Sequence, residues 1–180
     1  MGDELGGTAL VFADRRLDSA YSVTDASGAV IARIRVRRGG ARFQAEDATG
    51  STLCAGSTSR WGLSNLWRAT GPAGDPLLEL RKSTLRARAN LRLARGGDMI
   101  VEGSVWRRDF QVRDGDRIVL RALPQTSVIS MRPYEYAVTR PADALTLAET
   151  LAVVQIWRLL RKRDDASAAA AASTAVIASG

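Results

Sequence analysis

The chain has 180 residues, 26 Lys and Arg against 19 Asp and Glu, a net charge of +7 and a sequence pI of about 10.6. That suits one domain with one core and favours anionic partners such as nucleic acid or an acidic membrane surface. One cysteine, Cys54, and no histidine exclude an internal disulfide framework and a Cys/His zinc site, and no metal or cofactor is implied.

The first residues, Met1–Thr8, are acidic and Gly-rich and lack the basic-then-apolar order of a secretory signal. Residues 1–14 read as a lead or a first strand. From there most of the chain alternates with period two, the mark of half-buried strands. In Val30–Arg38, Val30, Ala32, Ile34 and Val36 face one way and Arg33, Arg35 and Arg37 the other. Leu78 and Leu80 alternate with Glu79 and Arg81. Thr84–Leu93 sets Leu85, Ala87, Ala89, Leu91 and Leu93 against Arg86, Arg88, Asn90 and Arg92. Ile118, Leu120 and Ala122 oppose Val119 and Arg121, and Tyr134–Thr139 alternates likewise.

Turn signals separate these runs at Asp25–Gly28, Gly39-Gly40, Asp47–Gly50, Gly71–Pro76, Gly96-Gly97 and Asp114–Asp116. Many short strands joined by hairpins predict an antiparallel sandwich or barrel with one packed face and one wet face.

After Pro141 the period changes. Asp143–Lys162 predicts a helix, with Asp143 as N-cap or, alternatively, a capping box from Thr146 and Glu149. Leu147, Leu151, Val154, Trp157 and Leu160 form one stripe. Leu145, Ala148, Ala152, Val153, Ile156 and Leu159 cover most of the remainder. A helix apolar nearly all round is enclosed by protein or sits in a membrane. The run Leu145–Leu160 is short for a bilayer and carries Glu149, Gln155 and Arg158, so no transmembrane span is expected. Enclosure remains: the sheet's apolar face has no other partner, and closing it round the helix removes long edges. The expected fold is therefore mainly β, a closed antiparallel barrel around a central C-terminal helix. Residues 15–163 form the domain, and the Ala/Ser-rich stretch Asp164–Gly180 reads as a disordered tail, with fraying helix at Ala168–Ala172 as the alternative.

Several motifs together carry a resemblance. They are D-A-S-G-A-V-I-A-R-I (Asp25–Ile34), E-D-A-T-G-S-T-L (Glu46–Leu53), a tryptophan at Trp67, and Y-E-Y-A-V-T-R-P-A-D-A (Tyr134–Ala144) running into the apolar helix. The chain resembles the tubby C-terminal-like superfamily, and within it the LURP-one-related proteins, with phospholipid scramblases as cousins. The resemblance implies a twelve-stranded closed barrel threaded by a hydrophobic helix. Tubby domains bind phosphoinositides through basic residues; scramblases are linked to lipid movement and calcium. This sequence lacks the scramblase Cys-rich segment. Its Asp114-Gly115-Asp116 has no calcium-loop spacing, and no tubby Lys/Arg motif matches residue by residue.

Two arginine ladders are the candidate ligand-binding residues: Arg33, Arg35, Arg37 and Arg38, and Arg81, Lys82, Arg86, Arg88 and Arg92. Guanidinium forks suit phosphate oxygens. If their strands lie side by side, a basic stripe results; the plain alternative is charge kept outward for solubility, which an Arg-rich composition supplies by itself. Of the four tryptophans, only Trp106, flanked by Arg107 and Arg108, has the setting of an exposed stacking residue, so nucleic acid is not the expected partner. Glu46/Asp47 and Asp164/Asp165 are carboxylate pairs without pocket logic, Gly39-Gly40 and Gly96-Gly97 open no helix, and Cys54 has no base beside it. The expectation is a non-catalytic, cytoplasmic, membrane-peripheral module that binds anionic phospholipid headgroups, or else a structural or protein-interaction module.

Overall fold

A computed structural model describes residues 8–13, 20–37, 40–58, 65–83, 87–104, 108–125, 135–141 and 143–178. The strands, in chain order, are β1 (Thr8–Phe12), β2 (Ala20–Asp25), β3 (Val30–Val36), β4 (Arg42–Asp47), β5 (Thr52–Thr58) and β6 (Leu66–Thr70), then β7 (Pro76–Lys82), β8 (Arg88–Leu93), β9 (Asp98–Gly103), β10 (Phe110–Asp114), β11 (Arg117–Pro124) and β12 (Tyr136–Arg140). One helix follows, α1 (Leu147–Ala178). Each strand pairs antiparallel with its neighbours in sequence, and β1 pairs with β12, closing the barrel.

Alternation places one side chain in two inside. Ala32 and Ile34 are buried while Arg33 and Arg35 are exposed. Leu78 and Leu80, and Ala89, Leu91 and Leu93, are lumen-facing in the same way. Where the simple pattern fails, a bulge is the cause. Register shifts leave an extra residue in four hairpins: Ile31, Leu53, Leu77 and Val119. All four are apolar and lie near the end where α1 begins. Each bends its strand and adds an apolar side chain beside its buried neighbour. This explains why Val30 is 40% exposed although it shares the alternation of Ala32, and why Val119 and Leu120 are both buried.

The tight turns at that end are built by their own side chains. Asp25 Oδ1 accepts from Ser27 N, Ser27 Oγ and Ala29 N; Asp47 Oδ1 accepts from Thr49 N, Thr49 Oγ1 and Ser51 N. Gly28 and Gly50 follow in the left-handed region, at φ 85° and 91°.

The lumen is filled by α1. Every residue from Glu149 to Arg161 is buried, on all faces of the helix. The start is the capping box, not Asp143. Thr146 N donates to Glu149 Oε2 at 2.7 Å and Glu149 N to Thr146 Oγ1 at 3.2 Å. Asp143 instead sits in the preceding turn and pairs with Arg117 at 3.5 Å. Glu149 also accepts from Arg95 Nε at 2.9 Å, fastening the β8–β9 turn to the helix. The far end differs from expectation too: the helix runs on through Asp164 to Ala178, where an irregular tail was expected. Alanine has the highest helix propensity, and extending a helix that already exists needs no new nucleus.

Candidate functional site

The interior offers little space to a ligand. Trp157 lies 5.5 Å from Phe110 between ring centres, and Phe110 packs edge-on against Tyr136. A Cβ on Gly103 would fall 2.5 Å from Trp157 Cζ2. Some of the polar groups inside are engaged with one another, while the indole N–H groups of Trp67 and Trp157 are buried and meet no acceptor among the described residues. The Tyr21 hydroxyl donates to Gln155, and the Arg158 guanidinium stands 4.3 Å from the centre of the Tyr21 ring. The Tyr136 hydroxyl donates to the Arg108 carbonyl at 2.9 Å; burial pushes its pKa up, although Arg158, Arg161 and Arg108 oppose the shift. Cys54 is fully buried and its thiol is pushed up to about 12 by desolvation, an inert thiol as expected. Among the described residues, no group of three His, Cys, Asp or Glu is placed to hold a metal ion. None of their helices is long and apolar enough to cross a membrane.

The exterior is divided by charge. Strand ends and turns where α1 begins carry Asp25, Asp47, Asp75, Asp98, Asp114, Asp116 and Asp143. The arginines at that end are occupied: Arg95 with Glu149, Arg117 with Asp143, and Arg113 with the Asp116 carbonyl. The end where α1 leaves carries Arg35, Arg37, Arg42, Arg81, Lys82, Arg88 and Arg108 against Glu102, Asp109, Glu135, Asp164 and Asp165.

The two arginine ladders are not adjacent. Strands β4, β5 and β6 separate β3 from β7, so no continuous stripe joins them. On β7–β8 the charges are largely neutralised. Arg88 meets Glu102 at 3.7 Å, Arg92 meets Asp98 at 3.1 Å, and neighbouring Arg68 meets Glu79 at 2.6 Å. The Arg68 hydrogen bond holds the Glu79 carboxyl below its ordinary value, and the Asp98 hydrogen bond raises Arg92. Arg81 is exposed on this face, Lys82 points instead into the barrel mouth and pairs with Asp164, and Arg86 lies outside the described residues.

On β3–β4 the arrangement is different. Arg33, Arg35 and Arg37 project from one strand, all exposed. Arg37 N donates to the Arg42 carbonyl at 3.1 Å, so these two residues face each other directly across the hairpin, and Arg42 is exposed as well. Arg35 reaches Glu46 at 3.3 Å with its side chain 64% exposed; Arg33, Arg37 and Arg42 form no ion pair among the described residues. Most of their neighbours are small or neutral, Ala20 and Ser22 on β2, Gln44 on β4 and Ser57 on β5, and one carboxylate, Glu46, stands opposite Arg33 and pairs with Arg35. Like charges directly opposed on neighbouring strands are destabilising, so the Arg37/Arg42 end of this face carries positive potential that Glu46 offsets only in part. Arg42 was not among the sequence candidates. Its signal is R-R-G-G-A-R, a turn motif whose flanking residues Arg37 and Arg42 stand face to face. Arg38, with Trp61 and Trp106, lies outside the described residues.

No curated protein matches the sequence. A crystal structure of a protein from Arabidopsis thaliana superimposes with a TM-score of 0.60 at 17% identity, covering 83% of this chain and 89% of that one. At that identity the likeness shows the fold alone. A family model described as LURP-one-related matches residues 9–148, from β1 to the first turn of α1. The strands it spans are those that close round the helix, and the chain belongs to the LURP-one-related family.

Proposed function

We propose that this barrel is a non-catalytic, membrane-peripheral binding module that docks on anionic lipid headgroups through the β3–β4 face. The observation that carries the reading is the opposed pair Arg37 and Arg42, flanked by Arg33 and Arg35, all exposed and mostly without carboxylate partners. Guanidinium groups in this setting fit phosphate oxygens bidentately. A basic residue near an anionic leaflet contributes roughly 1 kcal/mol, so four give about 4 kcal/mol gross. That corresponds to a dissociation constant of about a millimolar, so binding is weak and strongly salt-dependent.

The test is co-sedimentation with phosphatidylserine vesicles at low and physiological salt, phosphatidylcholine vesicles serving as the neutral control. Selective sedimentation that salt suppresses, and that Arg37→Glu with Arg42→Glu abolishes, supports the reading. Equal sedimentation with both lipids at low salt removes it.

One observation favours a second reading, a structural or protein-interaction module with no small ligand. Away from β3–β4, most outward arginines are matched to carboxylates, as on a surface kept soluble. A stable partner recovered equally by wild type and by the Arg37/Arg42 double reversal, with no vesicle binding, supports that reading instead.

A further inference from the structure

One guanidinium on the outer face of β6–β9 is left over after the ion pairs there are made. Register sets two rows side by side across these four strands. The first reads Arg68, Glu79, Arg92, Asp98, charges of alternating sign. Arg68 holds Glu79 at 2.6 Å and Arg92 holds Asp98 at 3.1 Å, so this row is matched within itself. The second reads Leu66, Arg81, Asn90, Ile100. Arg81 and Asn90 stand directly opposite each other, both exposed, and neither forms an ion pair or a side-chain hydrogen bond among the described residues. Leu66 and Ile100, both half-buried, end the row on either side. The two rows meet in an open groove of about 300 Å³ whose walls include Leu66, Glu79, Arg81, Asn90, Arg92 and Asp98. That volume is at the lower end for small-molecule sites, and every lining residue lies on a strand, none in a connection.

We infer that this groove is a binding site for a small monocarboxylate with a short aliphatic tail. A carboxylate presents two coplanar oxygens that match the planar fork of the Arg81 guanidinium, and the Asn90 amide donates to one of them from the facing strand. Leu66 and Ile100 flank this polar pair, so a tail running along the row in either direction meets apolar surface. Charge sets the valence of the ligand. Arg68, Arg81 and Arg92 against Glu79 and Asp98 leave a surplus of one positive charge. Glu79 stays ionised: the Arg68 hydrogen bond, helped by the fields of Arg68, Arg92 and Arg81, holds its carboxyl below the ordinary value. A single negative charge therefore completes the groove, whereas a dianion brings its second charge up against the Glu79 and Asp98 carboxylates. The groove takes no residue from β3 or β4, so the inference stands apart from the proposed lipid docking.

The experiment is titration of the full chain with hexanoate, followed by the arginine Nε–H and asparagine amide signals in proton–nitrogen NMR spectra. The Arg81 signal is assigned by its loss in Arg81→Gln. Hexan-1-ol serves as the uncharged tail, and inorganic phosphate at pH 8 as a compact dianion. Hexanoate is expected to move the Arg81 and Asn90 signals together, with a dissociation constant of about a millimolar. Arg81→Gln, read at Asn90, should weaken it at least about tenfold, and Asn90→Ala, read at Arg81, by a smaller factor. Phosphate should bind at Arg81 at least about tenfold more weakly than hexanoate, and hexan-1-ol should leave that signal in place. Both substituted side chains are exposed, so the variants keep the core intact, and circular dichroism checks each one. Saturable hexanoate shifts that both substitutions weaken support the inference. No shift at Arg81, binding that survives either substitution unchanged, or phosphate held at Arg81 as tightly as hexanoate overturns it. A shift confined to Arg33, Arg37 or Arg42 also overturns it and assigns the carboxylate to the β3–β4 face. Loss of vesicle binding in an Arg37→Glu variant leaves these outcomes untouched.

Discussion

Gly103→Ala probes how tightly the barrel grips its helix. Gly103 ends β9 and pairs with Phe110, and its missing side chain leaves room for the Trp157 ring. An added Cβ would stand 2.5 Å from Trp157 Cζ2, 3.3 Å from Cε2 and 3.2 Å from the Asp109 carbonyl oxygen. The first distance is about an ångström inside the optimum of roughly 3.5–4.0 Å for a carbon pair. Trp157 is 2% exposed and packed against Phe110, so the ring has little freedom to retreat. Overpacking of this kind costs about 1–3 kcal/mol, and the wall here is a rigid ring, which points to about 3. A domain of this size loses roughly 2–4 °C of Tm per kcal/mol, so the melting midpoint should fall by about 6–12 °C. The assay is urea unfolding of wild type, Gly103→Ala, Trp157→Phe and the double variant. Trp157→Phe deletes the atoms that the Cβ meets, so the cycle should show coupling of more than about 1 kcal/mol. A Gly103→Ala change under about 0.5 kcal/mol, or a cycle that closes additively, would refute the close fit between β9 and α1.

Four further outcomes follow from the geometry. Arg42→Glu sets opposite charges across from Arg37 and should stabilise the fold by about 0.2–1 kcal/mol, read by urea midpoint; a loss of stability contradicts the opposed pair. Glu149→Ala removes the capping box and the Arg95 bond together, for about 3 kcal/mol, while Thr146→Ala costs about 1; equal effects would show that Glu149 acts only as a cap. Cys54, with its thiol raised to about 12, should react with iodoacetamide at pH 8 at least about a thousandfold more slowly than in denaturant, followed by mass spectrometry. Asp25 and Asp47 are lowered from 3.8 chiefly by the hydroxyls of Ser27 and Thr49, so their contribution is full above the unfolded value and is lost as pH falls through the folded one. The fall in Tm from pH 7 to pH 3 should therefore be smaller in Asp25→Asn/Asp47→Asn, and an unchanged or larger fall contradicts the turn geometry.

The fold was legible because two periods carry it. Alternation at Val30–Val36 and Leu78–Lys82 places the lumen side, and the switch after Pro141 gives a helix with no polar face, which only a closed sheet can solvate. The four bulges were not legible. An extra residue such as Ile31 or Leu53 is apolar either way, and only the partner strand shows that it has no opposite number. The reach of α1 was not legible for a physical reason: a low-complexity Ala/Ser stretch looks unstructured alone, yet here it continues a helix already nucleated by the buried run Glu149–Arg161.

The site was legible in chemistry and not in position. Arg33, Arg35 and Arg37 could be assigned to one strand face, and Arg42 follows from the turn motif R-R-G-G-A-R. Whether Arg81 and Arg88 join them depends on how many strands intervene, which no local pattern contains. Lys82 is the instructive residue. Reading it with Arg81 groups it by charge, whereas counting by two from Leu78 and Leu80 sends it into the lumen, where the structure has it facing Asp164. A barrel filled by its own helix has surrendered the interior that other barrels use for ligands, so recognition is left to the outer faces and the rims.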